Sequence, residues 1–107
     1  MVQQPPSGTY LATRAVPDEG ELRGQVAHAL AQGWTCAIEH VDPLRATQTY
    51  WQMWKLPLFG ASDPDEVLDE LSSCRAAHPD DRIRLLGYDE RQQTQGLSIV
   101  VQRGRRT

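Results

Sequence analysis

Lysine is almost missing from this sequence, and so are several signals from which function is often assigned. Lys55 is the only lysine, so chemistry that needs a lysine nucleophile or Schiff base has one candidate, in a strand-like run. No apolar run approaches the roughly 20 residues that cross a bilayer. The first ten residues, MVQQPPSGTY, lack the basic start and apolar core of a signal peptide. We therefore expect a cytoplasmic protein that does not bind a membrane.

The sequence also has few cysteines and no net positive charge. Cys36 and Cys74 are the only cysteines, too few for a disulfide framework, and both are predicted to be buried free thiols. The formal net charge is -3, which gives no general attraction to nucleic acid. The cluster of Arg103, Arg105 and Arg106 is short enough to be a solvated tail. Nucleic acid is therefore not an expected partner.

The composition that is present predicts one soluble domain. The chain has 107 residues, of which 39% are hydrophobic and 23% charged, close to the averages for globular proteins. We expect a flexible arm over 1–9, the domain over 10–103 and a basic tail over 104–107.

Two helices are predicted from their start and stop signals. The first begins after Asp18 and ends at Gly33, and the second begins after Asp63 and is stopped by Pro79. In both, a glutamate three residues after the cap completes a capping box. The apolar residues at helical spacing are Leu22, Val26, Ala29 and Leu30 in the first helix, and Val67, Leu68, Leu71 and Cys74 in the second.

Four strands are predicted, over 34–41, 49–58, 83–88 and 97–102, with the polar segment DERQQTQG joining the last two. The element order is α-β-β-α-β-β. Short connections favour antiparallel neighbours, so we expect an α+β fold with a four-stranded, mostly antiparallel sheet and both helices on one face. Pro57 fits the second strand only near its end or at a sheet edge.

The second predicted strand, in the run YWQMWKLPLF, carries large apolar residues on both of its faces. Alternation puts Tyr50, Trp54, Leu56 and Leu58 on one face, and Trp51, Met53 and Phe59 on the other. Exposing either set to water would cost several kcal/mol at about 25 cal/mol per Å² of apolar area. The second face is therefore buried either within the chain or against a partner protein, and the residues alone leave both possibilities open.

The search for an active site finds few candidates. No glycine motif for a nucleotide phosphate and no nucleophile elbow is present. His28, His40 and His78 are not at ligand spacing, and we interpret each as a surface or capping residue. Glu39, His40 and Asp42 could form an acid–base cluster, but a polar strand end is the simpler interpretation.

Four blocks of the sequence together carry a family resemblance: AQGWTCAIEHVDP, TYWQMWKLPLFG, ELSSCRAAHPDDRIRLLGYD and QTQGLSIVV. In their residues and order they resemble the small subunit of bacterial form I ribulose-1,5-bisphosphate carboxylase/oxygenase (Rubisco), most closely form IA. The second block is the most specific. The resemblance implies the same fold of two helices on a four-stranded antiparallel sheet.

The resemblance also implies a non-catalytic role. In the family, eight small and eight large subunits form the holoenzyme, and the active site with its Mg²⁺ and carbamylated lysine belongs to the large subunit. This chain is then expected to hold no cofactor, to stabilise the large-subunit core and to tune CO2 fixation. Form IA resemblance further suggests either a carboxysome, with a disordered scaffold protein as a second partner, or the free cytosol.

Two sets of residues receive roles from the resemblance. The expected large-subunit interface consists of Tyr10, Leu11, Tyr50, Trp51, Met53, Trp54 and Leu56. The expected loop toward the central channel of the assembly contains Asp42, Pro43, Leu44 and Arg45.

The chain departs from the family pattern at two places. Residues 12–15 replace the usual Pro-Pro pair, and Ile99 stands where Phe is common. Three alternatives stay open: a small-subunit-like binding module of a carboxysome scaffold, a small enzyme that uses His40 and Asp42, and a ferredoxin-like ligand-binding dimer. Form I small subunits nevertheless match the sequence best.

Overall fold

The computed structural model describes residues 16–45 and 50–104. The two helices are α1 (Glu19–Ala31) and α2 (Pro64–Ala77). The strands are β1 (Thr35–Val41), β2 (Gln52–Met53), β3 (Arg82–Asp89) and β4 (Thr94–Gln102), and a short 3-10 helix covers Pro43–Arg45. Among the described residues, no helix is long and apolar enough to cross a membrane.

Both helices begin where the capping signals predict. Asp18 accepts a hydrogen bond from the backbone N–H of Glu21, and the Glu21 side chain accepts one from the N–H of Asp18. The same reciprocal box joins Asp63 and Glu66 at the start of α2, with Pro64 in the first turn. These boxes satisfy backbone donors that the first helical turn leaves unpaired. The predicted start of each helix is therefore confirmed.

The strands form one antiparallel sheet in the order β2-β1-β3-β4. This order confirms the predicted sheet and places β2 at an edge. The core lies on one face, where both helices pack against β1, β3 and β4. It contains Leu22, Val26, Ala29, Val67, Leu71 and Cys74 from the helices and Cys36, Ile38, Ile83, Leu85 and Val101 from the strands.

The opposite face of the sheet is less polar than alternation predicts. Ala37 and Leu86 are cross-strand partners on this outer face, and they are 0% and 1% exposed. Both cysteines are buried and free, as predicted, and burial raises each thiol pKa to about 11. They are therefore poor nucleophiles at neutral pH.

The second and fourth strands differ from their predicted bounds by more than one residue. The fourth strand begins at Thr94 rather than Leu97, and the third ends at Asp89. Half of the residues in the predicted polar connection DERQQTQG therefore lie in β3 or β4. Gln93 enters the strand with φ of 54°, in the left-handed region. The predicted second strand over 49–58 is wrong in length, because within its described part, 50–58, only Gln52–Met53 forms a regular strand.

Candidate interface at the sheet edge

Residues 50–59, the edge segment, run antiparallel alongside β1, and one bulge interrupts their pairing with it. Met53 pairs with Glu39, so an uninterrupted ladder would place Leu56 opposite Cys36. Instead, the N–H of Leu58 donates to the carbonyl oxygen of Cys36 at 2.8 Å. Two extra residues are therefore accommodated in a bulge.

The bulge has a local backbone cause. Lys55 has φ of 58°, a left-handed conformation that costs a non-glycine residue roughly 1–2 kcal/mol. Pro57 follows two residues later and has no N–H to donate to a ladder. Among the residues that the structure describes, no strand pairs with the outer side of β2, so the chain can bend outward here.

The bulge separates inward from outward side chains. Trp54 and Leu58 pack against the core, whereas Tyr50 is 83% exposed and Leu56 74% exposed. The predicted common face of Trp54, Leu56 and Leu58 is therefore wrong, because the left-handed residue breaks the alternation. Met53 is 42% exposed. It lies two residues after Trp51, so alternation places both on the outer face of the sheet.

Trp54 anchors the edge segment to α2. Its indole Nε1 donates to Oε1 of Glu70 at 3.0 Å, and the Lys55 Nζ lies 3.1 Å from the same oxygen. The Lys55 ammonium is also 5.4 Å from the centroid of the Trp54 ring. The hydrogen bond from Trp54, followed by the one from Lys55, lowers the pKa of Glu70 below its usual value.

A second cluster lies on the outer face of the sheet. Nε and Nη2 of Arg84 both donate to Oε1 of Glu39, at 2.8 and 2.6 Å. The guanidinium carbon lies 4.0 Å from the centroid of the Trp51 ring, within cation–π range. Trp51 is thus held beside Met53 on the side of the sheet opposite the helices.

The loop that follows β1 is described as far as Arg45. Asp42 Oδ1 accepts a hydrogen bond of 3.0 Å from the N–H of Leu44, which closes a turn ahead of the 3-10 helix. Leu44 is 66% exposed. The side chain of Arg45, like the predicted interface residues Tyr10 and Leu11, lies outside the described residues.

The acid–base cluster of Glu39, His40 and Asp42 does not form. Glu39 binds Arg84 on the outer face, and Asp42 accepts a backbone N–H. His40 is buried and its Nδ1 lies 2.9 Å from Oδ2 of Asp81. This removes the geometric basis of the small-enzyme alternative.

Sequence reasoning missed the surroundings of His40. The ring of His78 stacks on that of His40 with centroids 3.9 Å apart, and Trp54 meets both rings edge-on. A search for nearby residues in sequence could not find this cluster, because His40 and Asp81 are 41 positions apart. Only the pairing of β1 with β3 brings them together.

A family model for the small chain of ribulose bisphosphate carboxylase matches residues 10–104. The chain belongs to the Rubisco small-subunit family. Rubisco small subunit 2 of Hydrogenovibrio crunogenus is 49% identical over 85 residues, which cover 79% of this chain and 75% of the relative. The small subunit of the symbiotic bacterium of Alvinoconcha hessleri is 41% identical over 105 residues, or 96% and 87% of the two chains.

Other comparisons agree with this family. The Rubisco small subunit of Rhodobacter capsulatus is 48% identical over 86 residues, covering 80% of this chain and 73% of the relative. These relatives give no support to a carboxysome scaffold module. A chain of Rubisco from Galdieria partita has the same fold, with a TM-score of 0.79, 24% identity, and coverage of 99% of this chain and 76% of that chain.

Proposed function

We propose that this chain is the small subunit of a form I Rubisco of the form IA type, and that it binds the large subunit through the outward side of its edge segment. It stabilises the large-subunit core and tunes carboxylation of ribulose-1,5-bisphosphate in the Calvin cycle. Eight copies join eight large subunits. The reacting groups and the Mg²⁺ belong to the large subunit, and this chain supplies no catalytic residue.

The observation that carries the proposal is the exposure of large apolar side chains on an anchored segment. Tyr50, Met53 and Leu56 face outward, and their burial would contribute at about 25 cal/mol per Å² of apolar area. Tyrosine and methionine are enriched at the centre of protein interfaces. Since the segment is already fixed to β1 and α2, binding would cost little further ordering.

Trp51 and Trp54 have different parts in this interface. Trp51 stacks on Arg84 on the outer face, where it would extend the apolar surface of Met53. Trp54 packs against the core and donates to Glu70, so in addition to its proposed place in the interface we assign it to holding the edge segment in place. The residues Tyr10 and Leu11 remain part of the proposed interface on the family resemblance alone.

The loop over 42–45 is proposed to face the central channel of the holoenzyme. Asp42 fixes its turn and Leu44 is exposed, and Pro43 and Arg45 complete the group. Form IA resemblance also favours the bacterial cytoplasm and, within it, a carboxysome, where a disordered scaffold protein would gather the holoenzyme.

The test is co-expression with a form IA large subunit, followed by native mass spectrometry and a carboxylase assay. Leu56→Asp places a charge on the proposed interface, and Ser72→Asp places the same charge on an exposed position of α2. We expect the unmodified chain and Ser72→Asp to give the complex of eight large and eight small subunits with raised activity. Leu56→Asp should lose both while its circular dichroism is unchanged. Normal assembly of Leu56→Asp would contradict the proposed contact surface.

A further inference from the structure

Three metal-ligand side chains from different elements meet behind the edge segment. His40 lies near the end of β1, His78 caps α2, and Asp81 directly precedes β3. One ligand atom from each lies within 4.8 Å of the other two. Oδ2 of Asp81 is 2.9 Å from Nδ1 of His40 and 3.6 Å from Nδ1 of His78. We call these three residues the His–His–Asp cluster.

The cluster has the donors and the exposure of a zinc-class site. Two imidazole nitrogens and one carboxylate oxygen are one of the three-ligand sets that bind Zn²⁺ in proteins, with water as the fourth ligand. The side chain of His40 is 7% exposed and that of Asp81 is 23% exposed. The side chain of His78 is 36% exposed, so an ion and a water molecule can reach the cluster from this side.

Hydrogen bonds already hold the turn that carries two of the ligands. Nε2 of Gln102 donates to the backbone oxygens of His78, Pro79 and Asp81. The N–H of His78 donates to the carbonyl oxygen of Cys74 at 2.8 Å. Because these contacts involve the backbone, the turn keeps its place when a side chain turns.

One movement is needed for coordination. The two imidazole rings are nearly parallel, with 20° between their planes, and an ion cannot lie in both planes at once. His78 is the more exposed of the two. A rotation of its ring would turn the lone pair of Nδ1 toward an ion held between His40 and Oδ2 of Asp81, from which this nitrogen is 3.6 Å away. In the tautomer of His40 that has its proton on Nδ1, this proton would be exchanged with solvent and replaced by one on Nε2. Nδ1 would then have a free lone pair with which to bind the ion.

We propose that His40, His78 and Asp81 bind one divalent cation of the zinc class per chain, with water completing the coordination. The cluster contains none of the residues assigned to the proposed large-subunit interface, and the proposal does not depend on the function proposed above. The site would join the end of β1, the end of α2 and the start of β3. A bound ion would therefore link these three elements next to Trp54, whose indole meets the His40 ring edge-on.

The experiment measures Zn²⁺ bound per chain of the purified full-length protein, by equilibrium dialysis at about pH 7.5, because protein ligands bind a metal ion in their deprotonated forms. His78→Gln and Asp81→Asn each remove one ligand. His28→Gln is the matched control, since His28 is an exposed histidine on α1 that contacts Trp34.

We expect one saturable Zn²⁺ per small subunit in the unmodified chain and in His28→Gln. His78→Gln and Asp81→Asn should each lower the affinity for Zn²⁺. Because each removes a direct ligand, the loss should be at least the roughly 10–100-fold that follows removal of an outer-shell partner. Equal Zn²⁺ binding by all four proteins would overturn the proposal, as would no binding by the unmodified chain. Co²⁺ provides a second measurement: a four-coordinate visible spectrum that disappears in His78→Gln supports the cluster, and its persistence contradicts it.

Discussion

The indole N–H of Trp54 donates a hydrogen bond of 3.0 Å to the Glu70 carboxylate, and this bond joins the edge of the sheet to the middle of α2. The edge segment has few regular ladder bonds of its own, since β2 covers only Gln52–Met53. Its conformation therefore depends on this side-chain anchor as well as on packing. Tyr50 and Leu56, which flank the anchor, are in turn positioned by it.

The first prediction concerns the hydrogen-bonding part of this anchor. Trp54→Phe keeps an aromatic ring but removes the donor to Glu70, so we expect the free energy of unfolding to fall by about 1.5–3 kcal/mol, the range for a hydrogen bond to a charged group. Urea unfolding of the two proteins measures it. Glu70→Gln retains an acceptor for Trp54 and should lose less, and a larger loss for Glu70→Gln would contradict the assignment.

The second prediction concerns pH. The pKa of Glu70 is lowered in the folded chain, chiefly by the hydrogen bond from Trp54 and then by the one from Lys55. A lowered pKa means that its contribution to stability is present above the unfolded value, near 4.5, and is lost as the pH falls through the folded value. We expect the thermal midpoint of the unmodified chain to drop more between neutral and acidic pH than that of Glu70→Gln. Identical pH profiles would exclude this role for Glu70.

The third prediction tests the packing of Trp34 on the hairpin. A Cβ at Gly96 would lie 2.6 Å from Cη2 of Trp34 and 2.8 Å from its Cζ3, so Gly96→Ala forces the ring to move. We expect a loss of about 1–3 kcal/mol in stability, as for other overpacked sites. Gly24→Ala is the control, because nothing lies within 4 Å of its Cβ position in α1, and it should be neutral or stabilising by up to about 1 kcal/mol. Thermal unfolding with both variants separates steric conflict from glycine flexibility.

The helices were predictable because their signals are local. Asp18 and Asp63 are capping residues whose partners lie three positions away, so four consecutive letters contain the whole interaction. The apolar stripes likewise repeat within each helix. The helix side of the core follows from these stripes, and the short connections then favour antiparallel strands.

The edge segment and the His–His–Asp cluster were less predictable for opposite reasons. Alternation assumes a continuous pleat, and the left-handed backbone of Lys55 interrupts that pleat, so Leu56 faces outward although Trp54 and Leu58 both pack against the core. Pro57 indicated an edge but not a bulge of two residues. The cluster instead depends on strand pairing over a long separation: no local spacing links His40 to Asp81, although the β1–β3 register does.

The last prediction concerns the outer-face cluster of Trp51, Arg84 and Glu39. Arg84 makes two hydrogen bonds to one carboxylate oxygen and stacks on the Trp51 ring. Lysine cannot reproduce both contacts because it lacks the planar fork of the guanidinium. Arg84→Lys should therefore reduce stability by about 1–2 kcal/mol, since the pair is only partly shielded from water.

A double-mutant cycle with Trp51→Leu isolates the stacking part of that loss. With arginine at 84, Trp51→Leu removes a cation–π contact of roughly 0.5–1 kcal/mol in addition to its packing, whereas with lysine it removes mainly the packing. Unfolding of the four proteins in urea should thus give a coupling free energy of about that size. A value indistinguishable from zero would mean that Trp51 is held by its apolar contacts alone, and Arg84 would then act only through Glu39.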